Sequence, residues 1–140
     1  MRIISALLIL IIVAGCVDTA QHNSSSPAER NAVNSMFEEF KNHMVKGEWK
    51  NAYQCLSTGY QTTPQPYGQS YEEFVKACEA NTTLADDYRN AYLKNISVES
   101  KEASARLIWS TGHESMIDFI EEGPNWKIVR MSRKIINPTQ

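Results

Sequence analysis

Glycine, proline and cysteine are all scarce in this chain, and none of them forms a motif that would bind a cofactor. Its 140 residues include six glycines, five prolines and three cysteines. The sequence has no glycine-rich phosphate loop and no nucleophile motif of the hydrolases. The formal net charge of −2 does not favour binding to a phosphate backbone. The sequence therefore predicts no cofactor, no metal site and no nucleic-acid partner.

Two of the three cysteines, Cys55 and Cys78, lie outside the amino-terminal segment, and neither belongs to a zinc or redox motif. In an oxidising compartment the pair would form a disulfide, which adds roughly 3 kcal/mol by closing a loop of this length. In the alternative, both are free thiols buried as small apolar side chains. The sequence leaves both alternatives open, because it does not give the separation of the two Cα atoms.

Long apolar runs are also scarce, and the one that exists covers residues 3–13. As a helix this run is about 17 Å long, which is too short for a bilayer core of about 30 Å. Arg2 precedes the run and Ala14-Gly15 follow it. One cation, a short apolar run and small residues are typical of a secretory signal peptide. An uncleaved membrane anchor is the alternative.

The segment Val13-Ala14-Gly15-Cys16 resembles the lipobox of prokaryotic membrane lipoproteins. The resemblance implies that residues 1–15 are removed as a signal peptide and that Cys16 is lipidated, with palmitate among the attached groups. A diacylglycerol-type group holds a protein on a membrane far more firmly than one acyl chain does. We therefore expect a lipid-anchored protein on the extracytoplasmic side of the membrane, in the cell envelope.

The rest of the chain is predicted to consist of a tether, one domain and a short tail. Residues 16–27 combine the lipidated cysteine with a polar, serine-rich, flexible tether. Residues 28–134 form the domain, and residues 135–140 form the carboxyl-terminal tail. Because Arg2 is the one charged residue of the removed segment, the mature chain carries 13 basic and 16 acidic residues, a net charge of −3.

Apolar spacing predicts three helices in the first half of the domain. Ser26-Pro27-Ala28-Glu29 forms a capping box with proline at the first helical position, and Gly47 ends this helix. The second helix covers residues 48–57. The third follows a second capping box that begins at Ser70, and it ends near Asn81. A loop is predicted for residues 61–69.

From about Asp87 the apolar period changes to two, which predicts four β-strands. The strands cover residues 88–99, 102–110, 115–121 and 126–133. The intervening turns are short enough for consecutive antiparallel hairpins. Three helices followed by a four-stranded meander indicate an α+β domain with the helices on one face of the sheet.

The order of elements, the Gly47-Glu48-Trp49 turn into Ala52-Tyr53 and the closing segment at residues 123–128 resemble the cystatin-like, nuclear-transport-factor-2-like superfamily. More narrowly, the chain is similar to small envelope lipoproteins of that fold with no assigned function. The match covers about residues 28–134. It implies a cone, in which three helices and a curved four-stranded antiparallel sheet enclose a pocket. Members of the superfamily include enzymes, ligand binders and dimerisation modules.

Turn lengths predict the pairing of residues across the sheet. We expect Leu107 to face Ile117 and Ala105 to face Phe119 on the apolar side, and Arg106 to face Asp118 on the other side. The last turn is expected to place Phe119 beside Trp126. The resemblance implies that enzymes of the superfamily use a carboxylate or a histidine inside the cone as a base. This register, however, puts Asp118 on the outer face, in a cross-strand ion pair, and His113 lies in a solvated turn.

Lys94 breaks the apolar pattern of the first strand, where it is predicted to face Leu107. Either a bulge or strand edge lets its ammonium reach solvent, or the cation lies inside the cone and binds an anionic ligand. Together with Lys94, the aromatic residues define the predicted pocket: Trp49, Tyr53, Tyr92, Trp109, Phe119 and Trp126. The alternative is that these aromatic residues simply fill the core.

Four apolar residues are predicted on the outer face of the sheet: Ile108, Met116, Val129 and Met131. Such residues indicate a homodimer or contact with another envelope protein, although scattered surface hydrophobes are common. The expected function is therefore non-catalytic binding of a small ligand or an envelope protein. The alternatives are an isomerase- or cyclase-type enzyme with its site inside the cone, and a structural dimerisation module.

Overall fold

The computed structural model describes residues 25–132, and for Ser132 it describes the backbone alone. The predicted signal peptide at residues 1–15, the lipid attachment at Cys16 and the tail at residues 135–140 lie outside the described residues. Within the described part of the chain, no helix combines the length and the apolar character needed to cross a bilayer.

Helix α1 covers Pro27–Lys46 and begins and ends as the sequence predicts. The Ser26 hydroxyl accepts a hydrogen bond from the Glu29 amide, and the Glu29 carboxylate accepts one from the Ser26 amide at 2.8 Å. The hydrogen bonds that the Glu29 carboxylate accepts from the Ser26 amide and the Ser26 hydroxyl lower the pKa of Glu29. At the other end Gly47 has φ of 70°, a left-handed conformation that suits glycine. The buried face of α1 consists of Val33, Met36, Phe37, Phe40 and Met44.

Four shorter helices follow, so the prediction of three helices is wrong in number. They are α2 (Trp49–Gln54), α3 (Thr58–Thr62), α4 (Tyr71–Ala80) and α5 (Leu84–Arg89). Helix α3 starts because the Ser57 hydroxyl accepts a hydrogen bond from the Tyr60 amide at 3.1 Å. Helix α5 occupies part of the segment that was predicted to begin the first strand. Helices of five or six residues cover less than two turns, so their apolar spacing is a weak signal in the sequence.

The predicted meander of four antiparallel strands is confirmed. Strands β1 (Tyr92–Glu99), β2 (Glu102–Ile108), β3 (Glu114–Glu122) and β4 (Asn125–Ser132) are adjacent in chain order. The inner face of the sheet contacts the helices through buried side chains: Ala103, Ala105, Leu107, Ile117, Phe119 and Ile128. The architecture is therefore α+β, with the core between the helices and one face of the sheet.

The predicted pairings of the central strands are shifted by two residues. Ala105 pairs with Ile117 and Ala103 pairs with Phe119, because the connection between β2 and β3 covers residues 109–113 rather than three residues. Phe119 pairs with Ile128 and not with Trp126, because the last hairpin turn is centred between Gly123 and Pro124 and paired residues lie at equal distances from that point. A shift of two residues keeps every side chain on its predicted face, because side chains alternate with a period of two.

Two bulges do change which face a side chain occupies. In β1 the irregularity lies between Lys94 and Ser97. It pairs Lys94 with Arg106 on the outer face and puts Leu93 opposite Leu107. In β4 the extra residue is Val129, so Met131 pairs with Ile117 on the inner face. The prediction that Lys94 faces Leu107 and the prediction that Met131 faces outward are both wrong, because one inserted residue reverses the alternation.

Candidate binding site

A cavity of about 850 Å³ opens between the helices and the inner face of the sheet. This volume lies within the range of about 300–1,000 Å³ that is typical of small-molecule sites. Helices α1, α4 and α5, the link between α3 and α4, and strands β3 and β4 all contribute to its wall. The buried residues of the wall carry no charge: Phe40, Met44, Leu56, Phe74, Cys78, Tyr88, Ser115 and Ile128.

An aromatic cluster around Tyr88 forms one side of the cavity. The Tyr88 ring packs edge-on against Phe40, with centroids 5.6 Å apart, and against Trp109, with centroids 5.0 Å apart. Trp109 Nε1 donates a hydrogen bond to the buried Ser115 hydroxyl at 2.9 Å, and the Tyr88 hydroxyl contacts the Met131 sulfur at 3.3 Å. The polar atoms of both rings thus have partners in the wall, which holds the rings in place.

The link between α3 and α4 forms the opposite side and is held by hydrogen bonds of its own. The Tyr53 hydroxyl donates to the Gln69 carbonyl at 2.8 Å, and the Tyr60 hydroxyl donates to the Gln69 side chain at 3.2 Å. A Cβ atom on Gly68 would overlap the carbonyl oxygens of Tyr60 and Thr63. Only glycine therefore allows the backbone of this link to approach α3 so closely.

The ionisable residues of the cavity wall lie at its solvent-exposed part. His113 and Arg130 are exposed, and Asp87 is half-buried. The Arg130 guanidinium is turned to the outer face of the sheet, where it forms an ion pair with Asp118 at 2.8 Å, and the Asp87 carboxylate accepts a hydrogen bond from the Thr83 hydroxyl at 3.1 Å. The cavity thus combines an apolar interior with a polar rim.

The predicted pocket residues are largely not those of the cavity. Trp109 lines it, whereas Phe119 is buried in the core next to it, and Trp49, Tyr53 and Trp126 are half-buried against the core. Tyr92 and Lys94 are exposed on the outer face of the sheet. The pocket lining proposed from the sequence needs correction, because the bulge in β1 turns that strand's polar residues outward.

The residues of α5 and of the α3–α4 link are not among those predicted to line the pocket. Leu84 and Tyr88, four residues apart in α5, both line the cavity, and so do Pro66 and Tyr67 in the link. The spacing of Leu84 and Tyr88 is the one signal that could have indicated a short helix with an inward face. The link offers no such pattern.

The predicted ion pair of Asp118 exists with a different partner. Asp118 lies on the outer face, as predicted, but it pairs with Arg130 across β3 and β4. Arg106 instead forms an ion pair with Glu114. Asp118 does not line the cavity, so the described geometry does not place it where a base would contact a bound ligand.

Both Cys55 and Cys78 are free, buried thiols in the structure. Burial raises the pKa of each thiol to about 11, and the nearby carboxylates Glu39 and Glu79 contribute to the same rise. At neutral pH both are therefore protonated and weakly nucleophilic. Cys78 lines the cavity, whereas Cys55 lies near Glu39 and His43 of α1.

The outer face of the sheet is less apolar than predicted. Met131 faces inward, and Ile108 is 8% exposed. Met116 and Val129 remain half-buried. A contact with a second copy or an envelope protein through this face stays a prediction, now resting on fewer exposed residues.

No family model matches the chain, and no curated protein matches it significantly. Among solved structures, one similar protein is a nuclear-transport-factor-2-like protein of unknown function from Silicibacter pomeroyi. It has 16% sequence identity and a TM-score of 0.49, and the match covers 77% of this chain and 100% of that chain. Another is a candidate aromatic ring hydroxylase from Novosphingobium aromaticivorans, with 15% identity, a TM-score of 0.50 and coverage of 81% and 94%.

At such identities a structural likeness shows a shared fold and nothing about activity. The class is an α+β domain with helices packed on a four-stranded antiparallel sheet. The second of these structures, with a TM-score of 0.50, supports a shared overall fold, and the nuclear-transport-factor-2-like superfamily stays a prediction from the sequence.

Proposed function

We propose that this protein is a lipid-anchored binding protein of the cell envelope whose cavity takes up a small, flat and largely apolar molecule. The cavity of about 850 Å³ is the observation that carries the proposal. Its buried wall is uncharged and rich in aromatic rings. Binding would therefore be driven by the removal of the ligand's apolar surface from water, which contributes about 25 cal/mol per Å² of buried area. Anchoring through Cys16 rests on the lipobox resemblance.

The polar rim indicates a ligand with one polar end. His113 lies where such an end would meet solvent, and its imidazole can donate a hydrogen bond to an anionic group. One structural neighbour is described as a candidate aromatic ring hydroxylase, so an aromatic compound is the class to test first. A flat aromatic ring with one carboxylate meets both conditions.

Binding is favoured over thiol-based catalysis by the state of the one cysteine in the wall. The raised pKa of Cys78 keeps its thiol protonated at neutral pH, so it is a poor nucleophile. An enzyme of the isomerase or cyclase type would instead need a base in contact with the ligand. Asp87 is the one carboxylate in the described cavity wall, and its side chain accepts a hydrogen bond from Thr83.

The proposal is tested by calorimetric titration of the full chain in lipid nanodiscs with 2-naphthoate, using empty nanodiscs as the blank. Ala77 lines the cavity on α4, and Ala80 lies one turn further on the same helix outside the cavity wall. We expect saturable binding by the wild type and by Ala80→Trp, and a loss of at least about tenfold in affinity for Ala77→Trp, about 1.4 kcal/mol. Equal affinities in the two variants would contradict binding in this cavity.

A further inference from the structure

Away from the cavity, three side chains with metal-ligating atoms come together. Glu39 and His43 lie one turn apart on α1, and Cys55 lies at the end of α2. One ligand atom from each residue lies within 4.8 Å of the other two. The three residues offer a carboxylate oxygen, an imidazole nitrogen and a sulfur, the donor types that bind Zn²⁺ in proteins.

The orientation of His43 is set by a second carboxylate. His43 Nδ1 lies 2.5 Å from a carboxylate oxygen of Glu48, which leaves Nε2 directed to Glu39, 3.8 Å away. The hydrogen bond from His43 is the largest cause of the lowered pKa of Glu48. Metal-binding histidines almost always donate their other N–H to a carboxylate or carbonyl in this way, which fixes the tautomer and the ring.

Cys55 is held in place by the sheet. The Cys55 carbonyl accepts a hydrogen bond from the Ile128 amide at 2.9 Å. Two residues later, the Ser57 amide donates to the Ile128 carbonyl at 2.7 Å. Its side chain is 6% exposed. The sulfur therefore approaches α1 from a fixed backbone, and it does not depend on a flexible loop.

We propose that Glu39, His43 and Cys55 bind a zinc ion, with Glu48 orienting His43 and the fourth coordination position open to solvent. Zinc takes up to four ligands at about 2.0–2.3 Å, so the three side chains need only close the gap that now separates them. On binding, the Cys55 S–H bond breaks, its proton leaves to solvent and a Zn–S bond forms without any change of oxidation state. The resulting carboxylate and thiolate balance the 2+ charge of the ion.

The charges around the site both favour and oppose the ion. Burial and, after it, the negative charge of Glu39 raise the pKa of Cys55, and a zinc ion between the two side chains would remove the repulsion from Glu39. Lys127 opposes it through repulsion between two cations, because its ammonium, which donates to the Gln54 carbonyl at 2.6 Å, lies close enough to act on Cys55. None of Glu39, His43 and Cys55 lines the cavity, so the metal site does not depend on the proposed ligand binding.

The test is titration of the full chain in nanodiscs with Co²⁺, followed by displacement with Zn²⁺. Cobalt reports on its ligands, because a thiolate gives a charge-transfer band in the near ultraviolet and tetrahedral sites give intense visible bands. The matched control is Cys78→Ser, since Cys78 is buried to the same 6% as Cys55 and has the same raised pKa of about 11. We expect wild type and Cys78→Ser to show the band and Cys55→Ser to lack it.

His43→Gln and Glu48→Gln keep the test decisive if Cys55→Ser does not fold, because both side chains are partly solvent-exposed. We expect His43→Gln to lose the intense bands, and Glu48→Gln to bind Co²⁺ about tenfold more weakly, the lower end of what an orienting partner contributes. A thiolate band that persists in Cys55→Ser, or the absence of any band in the wild type, would overturn the proposal. In the latter case the cluster is a contact between the His43 imidazole and two carboxylates only.

Discussion

The hydrogen bond between Trp109 and Ser115 offers a sharp test of how the cavity wall is held. Ser115 is 3% exposed, and its hydroxyl accepts the indole N–H of Trp109 at 2.9 Å. The substitution Ser115→Ala removes one oxygen and leaves that indole donor without its partner. A buried donor left without a partner costs about 1–3 kcal/mol. Trp109 faces the cavity and is only half-buried, so water can replace part of the bond.

We therefore expect Ser115→Ala to lower the free energy of unfolding by about 1 kcal/mol, the lower end of that range. For a domain of this size the loss corresponds to a fall of about 4–8 °C in Tm. Urea denaturation followed by circular dichroism and a thermal melt measure the two quantities. Ser104→Ala on the outer face of β2 is the control, and we expect a change below about 0.5 kcal/mol there. Equal losses at the two positions would refute the role assigned to the hydrogen bond.

Three further predictions follow from the same geometry. Gly68→Ala should lower the free energy of unfolding, measured by chemical denaturation, by about 1–3 kcal/mol, because the added methyl group overlaps two backbone carbonyls. The control is Gly59→Ala, which has room for the methyl group and should not be destabilising. Ser70→Ala should lose about 1 kcal/mol in the same assay, since it removes the side-chain cap of α4. Between pH 9 and about 11 the unfolded chain loses thiol protons that the folded chain keeps, because the pKa of both thiols is raised in the folded state. Tm should therefore fall as the pH rises, and it should fall less steeply in Cys78→Ala, which has one such thiol fewer. An unchanged free energy of unfolding in Gly68→Ala or in Ser70→Ala would contradict the contact assigned to that residue. The raised thiol pKa would be contradicted if Tm fell equally steeply with pH in wild type and in Cys78→Ala.

The features that could be predicted from the sequence are those with strong local signals. The two capping boxes, at Ser26 and Ser70, are both formed, and Gly47 ends α1. The apolar face of α1 and the alternation of the strands also match their predicted burial, since both follow from a simple period. These local signals were sufficient to indicate an α+β domain of this fold.

The features that could not be predicted depend on single residues or on distant contacts. One extra residue near Asn95, which has φ of 54°, turns Lys94 outward, and one at Val129 turns Met131 inward. Alternation alone cannot locate such insertions, because the pattern on either side of a bulge is regular. The cavity depends on α5 packing against α1, and the cluster of Glu39, His43 and Cys55 depends on α2 lying beside α1. Both are tertiary contacts without a sequence motif.

Ligand binding in the cavity is the central claim, and the indole N–H signals of the three tryptophans test it most directly. Trp109 lines the cavity, whereas Trp49 and Trp126 do not. The measurement is a ¹H–¹⁵N NMR titration of the full chain in nanodiscs with 2-naphthoate, with each signal assigned by a Trp→Phe substitution. The account predicts that the Trp109 signal moves saturably while those of Trp49 and Trp126 stay in place. A titration that leaves the Trp109 signal unmoved, or that moves all three alike, would contradict it.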